Sequence, residues 1–386
     1  MKKVFKGLCA AVLLAGTAAM VTPAFAEDAK PAGLNADDIK KALGMSIYLQ
    51  GGYTYNGNAS TGNAANPGTD EQNDLRVFDH KANSFGLDLA QIIFSKDPAT
   101  GVVGFKVKLS AGETAKWIHA RGMSGAALNT AQSGEGTDSI DITEAYMSYT
   151  AAIGKGLRFD FGKMATYHGA EVIEAKDNPN YSRSFLFNYA IPFTHTGLKM
   201  SYSVTDALSA SFHIVNGWDN ATDNNPGKTY GVSLGYAPAD AFSGYLNLMT
   251  GPEQDHSNNK RNLLDLVATI KPTKKLTFIL NYDYAKEEHA VGANDAKWYG
   301  VAAIAKYDVS DKQDVAVRAE YFNDKDGFRT GAAQKLKEVT LTWETKLDGG
   351  IIVRPEYRHD ASNVDSFDNG TKKTQDTLAV GVMYNW

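Results

Sequence analysis

The stretch that decides the fold is LTFILNYDYA, residues 276–285. Its apolar and aromatic side chains recur at every second position from Leu276, and the positions between them include Asn281 and Asp283. Because successive side chains of a β-strand point to opposite faces, this period of two places one face against an apolar surrounding and the other against water. The C-terminal stretch DTLAVGVMYNW, residues 376–386, repeats the pattern. The sequence therefore predicts strands whose two faces meet different solvents.

About sixteen segments of this kind follow one another along the chain. Most are close to the roughly 9–11 residues with which a tilted strand crosses a membrane, and no apolar run after Ala26 reaches the roughly 20 residues of a membrane-spanning helix. The predicted strands are 46–55, 84–95, 102–112, 138–150, 157–164, 195–204, 207–216, 229–238, 243–250, 263–271, 276–286, 296–307, 313–323, 335–346, 350–360 and 375–386. We therefore expect an all-β fold, a transmembrane antiparallel β-barrel of about 16 strands.

The connections between these segments alternate between short and long. The long ones are rich in Asn, Asp, Gly and Thr and comprise 56–83, 113–137, 165–193, 217–228, 251–262, 287–295, 324–334 and 361–374. Short turns at one rim and long polar loops at the other are typical of bacterial outer-membrane barrels. Tyrosine and tryptophan near both ends of the outward faces also predict two interfacial belts. A secreted β-sandwich, the alternative all-β fold, gives no reason for such belts.

The N-terminus carries the features of a secretory signal peptide. Lys2, Lys3 and Lys6 make the first residues basic, an uncharged apolar run follows at 8–21, and a cleavage site of small residues ends at Ala26. We therefore divide the chain into a signal peptide (1–26), a periplasmic N-terminal segment (27–45) and the barrel (46–386). The formal net charge of −5 argues against nucleic acid as a partner, and the single cysteine excludes a disulfide scaffold.

The inward register of the strands carries charges of both signs. Those that we single out are Lys106, Lys108, Arg158, Asp160, Arg318, Glu320, Arg354, Glu356 and Arg358. A packed core could hold such charges only at a large desolvation cost, whereas a water-filled lumen holds them readily. A barrel of about 16 strands is wide enough for an aqueous channel. The sequence therefore predicts a channel for small hydrophilic solutes or ions, surrounded by outer-membrane lipids, and leaves the preferred ion open because the two signs nearly balance.

No catalytic motif stands out, and we predict no catalytic residue, metal ion or cofactor. The eight histidines are far apart in sequence, and none forms a helical His-x-x-x-His pair. A barrel hydrolase could still assemble its groups from different strands, with His195 or His213 beside a serine. Further alternatives are a substrate-specific channel, for instance for oxyanions or organic acids, and a structural surface protein whose barrel is closed.

Several stretches carry a resemblance to a known family. They are FGKM at 161–164, NPNYSRS at 178–184, IPFTHTG at 191–197, VNGWD at 215–219 and EYRHD at 356–360. In these stretches the chain resembles the OmpL-like beta-barrel porins of Gram-negative outer membranes. The resemblance implies an outer-membrane pore that the barrel assembly machinery inserts and, as in many porins, a homotrimer.

The third long connection, 165–193, is predicted to narrow the pore. In sixteen-strand porins the third long loop commonly folds inward, and the resemblance implies the same here. A long loop without its own structure is uncommon unless it has a function. Opposed acids and bases at a constriction would create a transverse field that sorts solutes by charge. The candidate constriction residues are His168, Glu171, Glu174, Lys176, Asp177 and Arg183, and the alternative is a solvated surface lid with paired charges.

Overall fold

The structure is a computed structural model that describes residues 36–58, 72–123, 139–292 and 294–386. The predicted signal peptide and the first part of the segment 27–45 lie outside these residues. A short helix, α1 (Ala36–Leu43), precedes the first strand, and a single-turn helix, α2 (Glu113–Trp117), follows the third. None of the helices in the described ranges is long and apolar enough to cross a membrane.

Sixteen antiparallel strands form one closed barrel. Each strand pairs with its neighbours along the chain, and the first pairs with the last to close the sheet. The strands are β1 (Met45–Asn56), β2 (Phe85–Lys96), β3 (Val103–Ala111), β4 (Ile140–Ala151), β5 (Leu157–Ala165), β6 (Thr194–Ser203), β7 (Leu208–Val215), β8 (Thr229–Ala239), β9 (Phe242–Pro252), β10 (Lys260–Ile270), β11 (Leu276–Val291), β12 (Asn294–Ser310), β13 (Gln313–Asp324), β14 (Gln334–Lys346), β15 (Ile351–Ser362) and β16 (Thr374–Asn385). The predicted all-β barrel of about 16 strands is confirmed.

The outward faces of the strands carry the exposed apolar side chains. On β8, Val232 and Leu234 are exposed on the outside, whereas Ser233 between them lines a cavity in the lumen. Exposed aromatic side chains lie near both rims, at Tyr149, Tyr236, Tyr307 and Trp343 toward the short turns and at Tyr230, Tyr282 and Tyr357 toward the long loops. An apolar band between two aromatic belts matches the cross-section of a bilayer.

One interruption of the sheet lies at Pro355 in β15. The pairing of β15 with β16 continues through Pro355, whose partner is Val380. The pairing with β14 is interrupted between Val353 and Glu356. Because proline has no backbone N–H, the gap lies where that donor is missing, and β15 keeps the same register with β14 on both sides of it.

The predicted long loop 287–295 is wrong. Strands β11 and β12 extend through this region, so that only residues 292 and 293 connect them. Side chains tie the two extensions together, because Lys286 lies 2.7 Å from the carboxylate of Asp295, and the backbone N–H of His289 donates to the same carboxylate at 3.2 Å. A strand that continues beyond the membrane meets water on both faces, so its apolar alternation ends before the strand does.

We expect Leu234→Arg to lower the free energy of unfolding by about 2–4 kcal/mol, because a guanidinium on the lipid face near the bilayer midplane loses its hydration. The neighbouring change Ser233→Arg should cost far less, since Ser233 faces the lumen. Urea titrations of the barrel refolded into lipid vesicles measure both costs. Equal costs at these adjacent positions would contradict the assignment of the outward face.

Candidate functional site

The connection between β5 and β6, residues 166–193, lies against the lumen-facing side chains of the barrel, and we call it the inner loop. Every residue from Asn180 to His195 is buried, although the inner loop has only two short helical turns, at Ala175–Asp177 and Leu186–Ala190. Buried backbone without regular structure must find other partners for its N–H and C=O groups. Side chains of distant strands supply these partners.

Two glutamates of the barrel wall each bind two consecutive backbone N–H groups of the inner loop. Glu356 on β15 accepts hydrogen bonds from residues 181 and 182, at 2.7 and 3.0 Å. Glu320 on β13 accepts hydrogen bonds from residues 185 and 186, at 2.7 and 2.5 Å. Both glutamates are buried, so these hydrogen bonds replace the water that their carboxyl groups would otherwise bind.

Two arginines of β15 bind carbonyl groups of the inner loop. Arg354 donates hydrogen bonds to the carbonyl oxygens of Ala175 at 2.6 Å and Asn180 at 3.0 Å. Arg358 donates a hydrogen bond to the carbonyl oxygen of Arg183 at 2.6 Å. Wall acids therefore hold the N–H groups of the inner loop, and wall bases hold its C=O groups.

Arg318 on β13 joins the wall to the inner loop by an ion pair. Its guanidinium lies 2.8 Å from the carboxylate of Glu171 in the loop and 2.5 Å from that of Glu338 on β14. It also donates a hydrogen bond to the carbonyl oxygen of Ser182 at 2.7 Å. Arg318 is 0% exposed, so these oxygens, rather than water, balance its charge.

Glu174 attaches the inner loop to another part of the wall, at β2 and β3. Its carboxylate lies 2.8 Å from the ammonium group of Lys108 and accepts a hydrogen bond from the amide of Gln91 at 2.9 Å. Burial acts to raise the pKa of Glu174, but the charge of Lys108 and these hydrogen bonds outweigh it and lower the pKa to about 2. Glu174 is therefore ionised at neutral pH, as the ion pair requires.

Aromatic side chains fill the space between the inner loop and residues 72–83 of the first long connection. Phe78 packs against Phe187 and Phe193, with ring centroids 5.4 Å apart in each pair. The guanidinium of Arg183 lies 4.9 Å from the centre of the Phe78 ring, within the range of a cation–π contact. The sequence analysis missed this packing, for which the only signal is a short apolar run inside an otherwise polar connection.

The charged candidates for the constriction bind the wall or the inner loop itself. Glu171 and Glu174 pair with wall cations, and Arg183 is buried and donates hydrogen bonds to carbonyl oxygens of the inner loop. Lys176 and Asp177 pair with each other at 2.7 Å on the more exposed side of the loop. These residues therefore pair with the wall or with other groups of the same loop. Their acids and bases do not face each other across open water.

The remaining candidate, His168, lies at the base of the inner loop in a cluster of rings. The ring of Tyr167 stacks on that of His213 with centroids 3.8 Å apart, and it lies 4.1 Å from His168 and 5.3 Å from His195. Burial, together with the neighbouring His195 and His213, lowers the pKa of His168 well below its ordinary value. The imidazole of His168 is therefore neutral at pH 7.

The side of the lumen formed by β4–β10 holds two cavities beside the inner loop. The larger cavity has a volume of about 470 Å³, and its lining includes Arg158, Tyr167, Lys199, Ser201, Ser211, Ser233 and Asn247. The smaller has a volume of about 250 Å³, and its lining includes Glu144, Asp160, Tyr167, His195, Lys199 and His213. The two cavities adjoin, because they share Tyr167 and Lys199. Polar and apolar surface contribute about equally to the lining of the larger cavity, and polar surface predominates in the smaller one.

The lumen charges on this open side form ion pairs within the wall. Glu144 lies 3.0 Å from the ammonium group of Lys106 and 2.7 Å from that of Lys108. Asp160 lies 2.8 Å from the guanidinium of Arg158. Lys108 also pairs with Glu174 and so connects this cluster to the inner loop, whereas Arg158 and Asp160 line the open side.

The family of this barrel follows from its sequence. The family model described as "Putative beta-barrel porin-2, OmpL-like" matches residues 42–386, which include all sixteen strands. The chain belongs to this porin family. The predicted resemblance is confirmed, and the protein is an outer-membrane porin that forms a channel. Comparison with curated protein sequences gives no match.

Solved structures of other porins share the barrel of this porin. The anion-selective porin from Comamonas acidovorans is 11% identical with a TM-score of 0.57, over 89% of this chain and 98% of that chain. OmpF of Salmonella typhi is 15% identical with a TM-score of 0.57, over 89% and 97%. The trimer form of OmpT of Vibrio cholerae is 12% identical with a TM-score of 0.55, over 89% and 98%. Such low identities show a common fold alone.

The two histidines of the hydrolase alternative both lie in the lumen of the porin. Nε2 of His213 lies 2.8 Å from the hydroxyl oxygen of Ser211, and Nε2 of His195 lies 3.1 Å from that of Thr166. Within the described residues, no carboxylate oxygen lies within 4.0 Å of either imidazole, and no three His, Cys, Asp or Glu residues are placed to hold a metal ion. The family and the fold are those of a channel rather than an enzyme.

Proposed function

We propose that this porin mediates the passive diffusion of small hydrophilic solutes and ions along the β4–β10 side of its lumen. The observation that supports this path is the pair of adjoining cavities, lined in part by hydroxyl and charged groups, beside an inner loop that is bound to the rest of the wall. Hydroxyl groups and paired charges offer a passing solute many weak contacts. Conduction requires such contacts, because a solute must bind well enough to enter and weakly enough to leave.

We propose further that the inner loop is the constriction of this path. Glu171, Glu174 and Arg183 would serve the constriction by holding the loop in place. Lys176 and Asp177 would lie where the loop meets water, and His168 would help to fix its base. The width of the channel then depends on how firmly the inner loop is bound.

The proposal includes the route by which the porin reaches the membrane. Residues 1–26 would direct export as a signal peptide, residues 27–45 would remain in the periplasm, and the barrel assembly machinery would insert the barrel among outer-membrane lipids. We propose a homotrimer, which is supported by the trimer form of OmpT among the structural neighbours.

We expect purified porin to form open channels in planar bilayers, and Ser233→Trp to lower their single-channel conductance, because an indole at this position narrows the larger cavity. Asn258→Trp, in an exposed loop, is the control and should leave the conductance unchanged. Folded porin that forms no channels would contradict the proposed function. A normal conductance with Ser233→Trp would contradict the proposed path, and a conductance that saturates with one solute and with no other would favour the substrate-specific alternative.

A further inference from the structure

Lys199 differs from the basic lumen residues singled out above because its ammonium group is unpaired. It lies in β6, where its register partners are Asp160 on β5 and His213 on β7. It is partly exposed and lines both cavities of the open side. Within the part of the chain that the structure describes, no carboxylate oxygen lies within 4.0 Å of its Nζ atom, and no hydrogen bond holds this group.

The carboxylates beside Lys199 already have other partners. Asp160 accepts a hydrogen bond from Nε of Arg158 at 2.8 Å and another from the hydroxyl of Ser148 at 2.5 Å. Glu144 lies within 3.0 Å of two lysine ammonium groups of β3. Lys199 therefore has no carboxylate in direct contact with its ammonium group, whose positive charge attracts anions into the cavities.

Neutral and charged hydrogen-bond donors lie beside this lysine in one row of the sheet. Arg158, Ser201, Ser211 and Ser233 are successive register partners across β5–β8, and all four line the larger cavity. The hydroxyl of Ser201 is buried and has no hydrogen-bond partner among the described residues. Cationic groups together with hydroxyl donors match the several acceptor oxygens of an oxyanion.

We propose that Lys199, with Arg158, Ser201 and Ser211, forms a low-affinity site for small oxyanions, such as inorganic phosphate and short carboxylates, in the diffusion path. The site rests on the proposed function, because it acts only if solutes pass this side of the lumen. Lys199 repels cations, and chloride, with its single atom, uses fewer of the donors than an oxyanion does. The partial exposure of Lys199 keeps the binding weak enough for release.

Reversal potentials of the full porin in a potassium chloride gradient test the charge of the site. The wild-type porin should prefer chloride to potassium. Lys199→Gln should lower the chloride-to-potassium permeability ratio by about fivefold or more, since fivefold is the effect of one unit charge at about 4 Å in water on chloride alone. Lys199→Arg should keep the ratio, because it keeps the positive charge. Lys155→Gln should also keep it, because this exposed lysine pairs with Asp206 at the short-turn end of the barrel.

Titration of the chloride current with inorganic phosphate, and separately with acetate, tests the ligand. Both anions should reduce the wild-type current in a saturable manner, and Lys199→Gln should remove the saturation. Open channels whose current shows no saturation, or an unchanged permeability ratio in Lys199→Gln, would overturn the site while leaving the channel intact. Folded wild-type porin without any conductance would instead overturn the proposed function. If Lys199→Gln does not insert into bilayers, the phosphate and acetate titrations of the wild type and of Lys199→Arg test the site instead. Saturation in both supports the site, and its absence overturns the site.

Discussion

Deletion of residues 170–185 should raise the single-channel conductance of the porin several-fold. These residues make the contacts of the inner loop with Glu356 and Arg354, and without them the space that they fill becomes open to water. The hairpin can still close, because Ala165 and Thr194 remain register partners at the ends of β5 and β6. Recordings in planar bilayers measure the change, and the heat-dependent gel mobility of the barrel confirms that it has folded.

A deletion outside the lumen is the control for this experiment. Residues 256–258 lie in the connection between β9 and β10, where residues 256 and 258 are exposed, and their removal should leave the conductance unchanged. A folded barrel that lacks 170–185 and still conducts like the wild type would remove the inner loop from the pore.

Arg318→Met should destabilise the docking of the inner loop by about 3–5 kcal/mol, because it leaves the buried carboxylates of Glu171 and Glu338 without this cation. The closed sheet should persist, so the loop would leave the wall while the barrel remains folded. Trypsin reports this change, since Lys176 and Arg183 become cleavable when the loop is released. We expect rapid cleavage at these sites in the variant and resistance in the wild type.

Lys306→Met is the matched control, because it also removes a cation from the lumen side of a strand. Lys306 is partly exposed and pairs with Asp308 at 2.6 Å and Asp314 at 3.1 Å, away from the inner loop. Its loss should cost only about 0.2–1 kcal/mol and leave the loop resistant to trypsin. If both variants are equally resistant, Arg318 does not hold the loop.

The strands could be predicted from the sequence because their signal is local. Alternation along a strand depends only on which face meets lipid, and LTFILNYDYA shows it within ten residues of 276–285. The prediction was wrong at 287–295, where the strands continue into water and no longer need an apolar face. The same alternation shows which positions of a strand face inward, and it correctly places charges such as Glu320 and Arg354 on the lumen side.

The partners of these charges could not be predicted from the sequence. Tyr181 and Glu356, which form a hydrogen bond, are 175 positions apart, and their meeting depends on the closure of the whole barrel. Lys199 and Arg354 both occupy inward-facing positions of their strands, yet Arg354 binds the inner loop and Lys199 faces a cavity. Whether a lumen charge binds the inner loop or faces a cavity depends on the path of that loop. The loop sequence has no periodic pattern from which this path could be predicted.

The glutamates of the barrel wall bind the backbone of the inner loop, so these hydrogen bonds do not depend on which side chains the loop carries. Glu356 and Glu320 bind backbone N–H groups, which every residue except proline carries. Exchanging side chains along residues 181–186 therefore leaves these attachments in place, whereas proline at one of the bound positions removes an attachment outright. Because all six of these side chains are buried, their exchange changes how the loop packs against the wall, whereas the surface that a solute meets changes at exposed loop positions such as Val172 and Asp177.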